Sequence, residues 1–60
     1  MQLFAVITTE GTLFVNAVTA EAAHRNVAER MGYENVSLTR PATISEAETA
    51  HPSNITEVAA

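Results

Sequence analysis

Two short stretches of β-branched and aromatic residues open the chain and are separated by a polar turn. Residues 2–8 (QLFAVIT) and 12–17 (TLFVNA) flank Thr9-Glu10-Gly11. Such stretches are typical of strands, and Gly11 supplies the positive φ that a tight loop requires. The pattern predicts a β-hairpin whose loop holds two or three residues, so the strand register stays open by one position.

An alanine-rich segment with helical signals at both ends follows the hairpin. Thr19 fits an N-cap, Glu21 lies in the first turn, and Gly32 fits a left-handed C-terminal cap. With that cap, Tyr33 is expected to pack back on the last turn near Ala28. The segment from residue 20 to 31 is therefore predicted to be a helix. Its buried stripe is expected to comprise Ala20, Ala23, Val27 and Met31.

A third strand is predicted by the alternation of polar and apolar residues at 35–40 (NVSLTR), which stops at Pro41. Val36 and Leu38 share one face of this strand. Residues 1–41 are expected to form one ββαβ domain of the α+β class. Its sheet has three antiparallel strands in the order 2-1-3, with the helix packed on one face.

Residues 42–60 form an acidic tail, which contains three of the seven Glu residues and no Arg. Thr43-Ile44-Ser45-Glu46 matches a capping box and favours a short helix over 44–50, ended by His51-Pro52. Residues 51–60 are expected to be disordered.

Composition narrows the class of protein. Sixty residues without cysteine form one small core with no disulfide. The net charge of −4 argues against a nucleic-acid partner, because phosphates are bound by cationic surfaces. The apolar run at 3–7 is too short for a signal peptide or a membrane span. The sequence therefore favours a cytoplasmic protein without a membrane partner.

Candidate catalytic and metal-binding groups are sparse. The two glycines stand alone, and neither Cys nor Lys is present as a nucleophile. The serine hydroxyls are Ser37, Ser45 and Ser53, and nothing in their sequence context pairs them with His24 or His51. Glu21 and His24 share a helical face, but a metal site needs three or four ligands. We expect no enzymatic activity, no cofactor and no metal.

The hairpin carries more apolar surface than one helix covers, and neither strand contains a charged residue. With a three-residue loop, one face carries Leu3, Ala5, Ile7, Leu13, Val15 and Ala17. The other face carries Phe4, Val6 and Phe14 together with Thr8, Thr12 and Asn16. A two-residue loop reshuffles these sets but still leaves apolar residues on both sides. The second face needs a cover from the tail, a second copy or a partner.

Two covers for that second face stay open. The segment at 44–50 could fold back and cap it with Ile44. Alternatively, the edge at 12–17, which lacks protective charge or proline, accepts a strand from a second copy or a host protein. The candidate partner-binding residues are Phe4, Val6, Thr12, Phe14, Asn16 and Arg40.

Three segments match a known pattern, namely LFV at 13–15 continuing to AEA at 20–22, VAE at 27–29, and VSLTRP at 36–41. In these segments the chain resembles the small RNA polymerase inhibitors of T7-like phages. Arg40-Pro41 is the best match, because this family ends its last strand with an Arg-Pro pair and uses arginines there to contact the polymerase. The family has a further arginine where this chain has Leu38. The resemblance implies a ββαβ core and a phage- or plasmid-encoded protein that inhibits a host machine.

Two functions are therefore expected as alternatives. The first is a non-enzymatic protein that docks its sheet edge and Arg40 on a host protein and blocks that protein's activity. The second is a homodimer with a structural or scaffolding role, assembled through the same hairpin edge.

Overall fold

Residues 1–58 are described by a computed structural model that contains one sheet and two α-helices. The elements are β1 (Gln2–Thr8), β2 (Gly11–Ala17), α1 (Ala20–Met31), β3 (Val36–Pro41), α2 (Ile44–Thr49) and β4 (Ile55–Glu57). Short 3₁₀ turns at Tyr33–Asn35 and Pro52–Asn54 precede β3 and β4. No helix within residues 1–58 is long and apolar enough to cross a membrane.

The sheet confirms the predicted α+β class and corrects the predicted topology. Its four strands lie in the order β3-β1-β2-β4, with β1 antiparallel to both neighbours and β4 parallel to β2. The prediction of three strands in the order 2-1-3 is wrong, because β4 adds to the outer side of β2. The expectation of disorder after residue 50 is wrong for 55–57, and residues 59 and 60 lie outside the described part.

The hairpin turn decides which side chains share a face. Thr8 pairs with Gly11, so the loop holds two residues, and the positive φ of the turn falls on Gly11 at 114°. The Thr8 hydroxyl donates to the Gly11 carbonyl (2.7 Å) and accepts from the Glu10 N–H (3.1 Å). These bonds satisfy polar groups that the tight turn would otherwise leave unpaired.

With this two-residue loop, the side chains of β1 lie on the opposite faces from those expected for a three-residue loop. Phe4 lies opposite Val15, and Val6 lies opposite Leu13, all on the face that α1 covers. The grouping of β2 is retained, whereas Leu3, Ala5 and Ile7 of β1 exchange faces with Phe4, Val6 and Thr8. Because both alternating sets of β1 are largely apolar, the residue pattern alone is compatible with either register.

Helix α1 closes one face of the sheet by apolar packing. Thr19 caps its start by accepting a hydrogen bond from the Ala22 N–H (3.1 Å). Ala23, Val27 and Ala28 are its buried residues, while the other expected members of the stripe, Ala20 and Met31, pack at the border of the core. The core consists mostly of Ala and Val, with Phe4 as its one buried aromatic residue among residues 1–58.

The end of α1 differs from the cap predicted for it. Gly32 donates its N–H to the Ala28 carbonyl (2.7 Å), but its φ of 97° and ψ of 136° lie beyond the left-handed helical region. The chain therefore leaves α1 in an extended direction. Tyr33 is largely exposed instead of packing on the last turn, and its ring lies 6.2 Å from the ring of His24.

Candidate interaction surface

The sheet face opposite α1, here called the open face, is partly covered by α2. Arg40 of β3 and Phe14 of β2 both pair with Ala5, so their side chains share this face. Arg40 bonds to Glu46 of α2, and Ala5 is completely buried. The segment at 44–50 does fold back, but the expectation that Ile44 caps the face is wrong, because Ile44 is 81% exposed.

A bidentate ion pair between Arg40 and Glu46 holds α2 in place. Arg40 Nη1 and Nη2 donate to Glu46 Oε1 (2.7 Å) and Oε2 (2.9 Å). Glu46 also completes the expected capping box, since its N–H donates to Thr43 Oγ1 and its carboxylate accepts from the Thr43 N–H. The Arg40 hydrogen bonds, then the Thr43 N–H, lower the pKa of Glu46 from 4.5 to about 2.

The same carboxylate raises the pKa of Arg40, chiefly through their hydrogen bonds. The guanidinium expected to contact a partner is thus already engaged within the chain. Its placement by β3 and its contact with α2 make Arg40 an anchor for the second helix.

Two large aliphatic side chains are exposed on the two elements that this ion pair joins. Leu38 lies two residues before Arg40 on the same face of β3, beside Ile7, and is 53% exposed. Ile44 lies two residues before Glu46, at the start of α2. We call Leu38, Arg40, Ile44 and Glu46 the β3–α2 surface. Nothing in the residue pattern singled out Ile44 as exposed, because its orientation depends on how Glu46 is held.

The six candidate partner-binding residues do not lie on one surface of the structure. Phe4 and Val6 lie in the core under α1, so their expected place on an exposed face beside Phe14 is wrong. Thr12 is exposed and Phe14 is half-buried on the open face, near the hairpin turn. Asn16 lies on that face too, with its amide 3.5 Å from the Glu57 carboxylate. β1 separates these residues of β2 from Arg40 on β3.

The β2 edge is less open than its uncharged sequence suggests. β4 pairs with Phe14, Val15 and Asn16, and the Val58 N–H donates to the Asn16 carbonyl (2.9 Å). The prediction of an unprotected edge over 12–17 is therefore wrong for these positions. Residues 11–13 extend beyond the end of β4.

The opposite edge of the sheet is β3, and it is poorly suited to accept a strand. The Ala42 N–H donates to the Leu3 carbonyl (3.0 Å), so alternation directs the backbone of Pro41 away from β1. Proline has no N–H to offer there, and the pairing with β1 is also irregular next to Ser37. Both features are known protections of an edge strand.

A cleft of about 350 Å³ lies beside the uncovered end of β2. Its walls are formed by β2 and by the connection from α2 to β4, and its lining residues are Thr12, Leu13, Phe14, Thr49, Ala50, His51 and Asn54. The sequence did not indicate it, because its two walls are about forty residues apart in the chain.

One serine does lie beside a histidine. Ser53 Oγ is 2.6 Å from His51 Nδ1, a contact that the expectation of unpaired serines missed. The same Nδ1 accepts the Ser53 N–H (3.2 Å), so His51 caps the turn at Pro52–Asn54. A nucleophile–base pair is normally oriented by a third group in a shielded site, whereas both residues are exposed here. The contact is explained as a turn cap.

Glu21 and His24 of α1, the pair considered above as metal ligands, make contacts with other side chains. Glu21 accepts from Arg25 (2.7 Å), and His24 Nδ1 lies 2.9 Å from Thr39 Oγ1. In the part of the chain that the structure describes, no three His or acidic side chains cluster as metal ligands would.

No family model, curated protein or solved structure matches this chain.

Proposed function

We propose that this chain is a non-enzymatic protein that binds a host protein through the β3–α2 surface and inhibits its activity. The observation that carries the proposal is the exposure of Leu38 (53%) on β3 and Ile44 (81%) on α2, the two elements that the Arg40–Glu46 pair joins. Burying a large aliphatic side chain contributes about 1.5–3 kcal/mol, so two of them can anchor a protein interface.

The charges around this surface indicate the chemistry of the partner. The Arg40 charge is balanced by Glu46, whereas Glu48 on α2 is exposed. With a net charge of −4 on the chain, a partner with an apolar centre and a basic rim is favoured over an acidic one. A nucleic-acid partner is disfavoured for the same reason.

The resemblance to the phage inhibitors supports bacterial RNA polymerase as the host protein. In this proposal Arg40 acts differently from the arginines of that family. Its guanidinium holds α2 through Glu46 and thereby positions Ile44, while Leu38 makes the contact from β3.

Transcription by purified bacterial RNA polymerase tests the proposal. We expect the chain to inhibit transcription, and Leu38→Ser or Ile44→Ser to weaken inhibition at least about tenfold, equivalent to about 1.4 kcal/mol. Val18→Ser is the matched control, because Val18 is similarly exposed (59%) but lies between β2 and α1. Its inhibition should equal that of the unmodified chain.

The possible results distinguish the proposed target, the proposed surface and the homodimer alternative. No inhibition by the unmodified chain would exclude the polymerase as target. Equal effects of Leu38→Ser and Val18→Ser would exclude the β3–α2 surface. A stable dimer in light scattering that Leu38→Ser dissociates would favour the scaffolding alternative, though through a different surface from the hairpin edge that β4 occupies.

A further inference from the structure

Strand β2 is longer than the strand that pairs with its outer edge. β2 has seven residues and β4 has three, and their register runs from Phe14 opposite Ile55 to Asn16 opposite Glu57. Thr12 therefore has β1 on one side and no strand on the other. An unpaired stretch of edge is a template for main-chain hydrogen bonding.

The backbone of Thr12 points toward this free side. The Asn16 carbonyl accepts from the Val58 N–H across the outer edge (2.9 Å). Alternate residues of a strand direct their N–H and C=O groups to the same side. Thr12, four residues before Asn16, therefore presents its N–H and C=O outward, in line with the β2–β4 pairing.

The cleft of about 350 Å³ lies beside Thr12, between β2 and the connection that leads to β4. We call this cleft along the sheet edge the slot. Leu13 belongs to the face under α1 and Phe14 to the open face, so the slot is bordered by apolar groups on both sides of β2. Asn54 and His51 form the opposite wall. Because His51 Nδ1 is bonded to Ser53, the ring presents Nε2 to other groups.

We propose that this slot binds an extended peptide segment of a partner protein, which pairs with the backbone of Thr12. Main-chain hydrogen bonds provide the attachment, and the apolar groups beside β2 accommodate alternate side chains of the peptide. The β2 edge is the site instead of β3, because Pro41 deprives the β3 edge of a donor. The slot and the β3–α2 surface share no residue, so this site is independent of the proposed inhibition.

Peptide selection provides the probe. A phage-displayed octapeptide library is panned against the immobilised full chain, and the most enriched peptide is synthesised and titrated into isotope-labelled protein. We expect saturable NMR shifts at Thr12, Leu13 and Asn54, and at least about tenfold slower hydrogen exchange of the Thr12 amide. Enrichment of no peptide, or protection confined to other amides, would overturn the proposal.

Two variants remove the site by different means. Thr12→Pro removes the outward N–H, and Asn54→Trp fills the slot from the opposite wall without changing β2. Each should weaken the peptide at least about tenfold while circular dichroism stays native, and Glu10→Ser in the turn should have no effect. Should Thr12→Pro disturb the hairpin, Asn54→Trp decides, since unchanged affinity in that variant would contradict the proposal.

Leu38→Ser separates the two proposals. It should leave the peptide affinity unchanged, because Leu38 lies on β3 beyond β1. A loss of host inhibition without a loss of peptide binding locates each function on its own surface. A loss of peptide binding in Leu38→Ser would argue against the slot.

Discussion

Helices α1 and α2 lie against opposite faces of one sheet, but they are attached by different forces. α1 has twelve residues and buries Ala23, Val27 and Ala28, whereas α2 has six residues and buries none. Apolar burial holds α1, and the Arg40–Glu46 pair together with a capping box holds α2. One face is therefore closed by a contact that responds little to salt or pH, and the other by contacts that respond to both.

Helix length explains this difference. Helices shorter than about 12 residues are marginal in water, so a short helix depends on what fixes its ends. In α2, Glu46 serves both the capping box and the ion pair, and the apolar Ile44 is directed to solvent. A short helix attached by polar contacts thus leaves its apolar side chain exposed to solvent.

The largest expected effect contrasts the two phenylalanines. Phe4→Ala should lower the free energy of unfolding by about 3–5 kcal/mol, because Phe4 is buried under α1. Phe14→Ala on the half-buried open face should cost less than about 2 kcal/mol. Urea denaturation followed by circular dichroism measures both. Equal losses would show that the two faces are closed equally well.

Removal of residues 42–60 tests how much α2 and β4 together contribute to the stability of the fold. We expect residues 1–41 to fold without α2 and β4, with a smaller loss of stability than Phe4→Ala causes, because the core under α1 lies mainly within them. Circular dichroism should retain the α1 signal. A coil spectrum for residues 1–41 would mean that the domain extends to β4.

Gly32→Val tests the end of α1. A β-branched residue is strained at φ 97°, so we expect a loss of about 1–3 kcal/mol in the free energy of unfolding. A Cβ there would also come within 2.6 Å of Glu34 Oε1, which a flexible side chain can relieve. Gly32→Val combined with Glu34→Ala is the control, and full recovery in it would assign the loss to the side-chain contact instead of the backbone.

The smallest effect is the pH dependence of the α2 attachment. Because folding lowers the pKa of Glu46 from 4.5 to about 2, its contribution to stability is present above pH 4.5 and is lost as the pH falls toward 2. The stability difference between the unmodified chain and Glu46→Gln should therefore shrink over this range. Glu48→Gln is the control, and a difference independent of pH would contradict the assignment to Glu46.

The elements with local signals were predictable. The hairpin, α1, β3 and the capping box at Thr43 each follow from turn residues, caps or periodicity within a few positions. The register of β1 was not predictable, because Leu3, Ala5 and Ile7 are as apolar as the set that includes Phe4 and Val6. Phe4 and Val6 were consequently assigned to the wrong face, while Phe14 of β2 was assigned to the correct one.

The parts that depend on distant contacts were missed. β4 has only three residues, and its pairing with β2 joins positions about forty residues apart. No local pattern distinguishes such a segment from a polar tail. The cleft beside Thr12 depends on the placement of the connection to β4, and the exposure of Ile44 depends on how Arg40 holds Glu46, so neither follows from a local pattern.

The parallel pairing of β4 with β2 also determines how late in folding the outer edge of β2 is covered. Contacts among β1, β2 and α1 are close in sequence, whereas the β2–β4 ladder closes a long loop and forms more slowly. During synthesis, the outer side of Phe14–Asn16 has no strand to pair with until residues 55–57 emerge. A nascent or clipped chain therefore displays a longer uncharged edge than the finished molecule, and in that interval it is most exposed to aggregation.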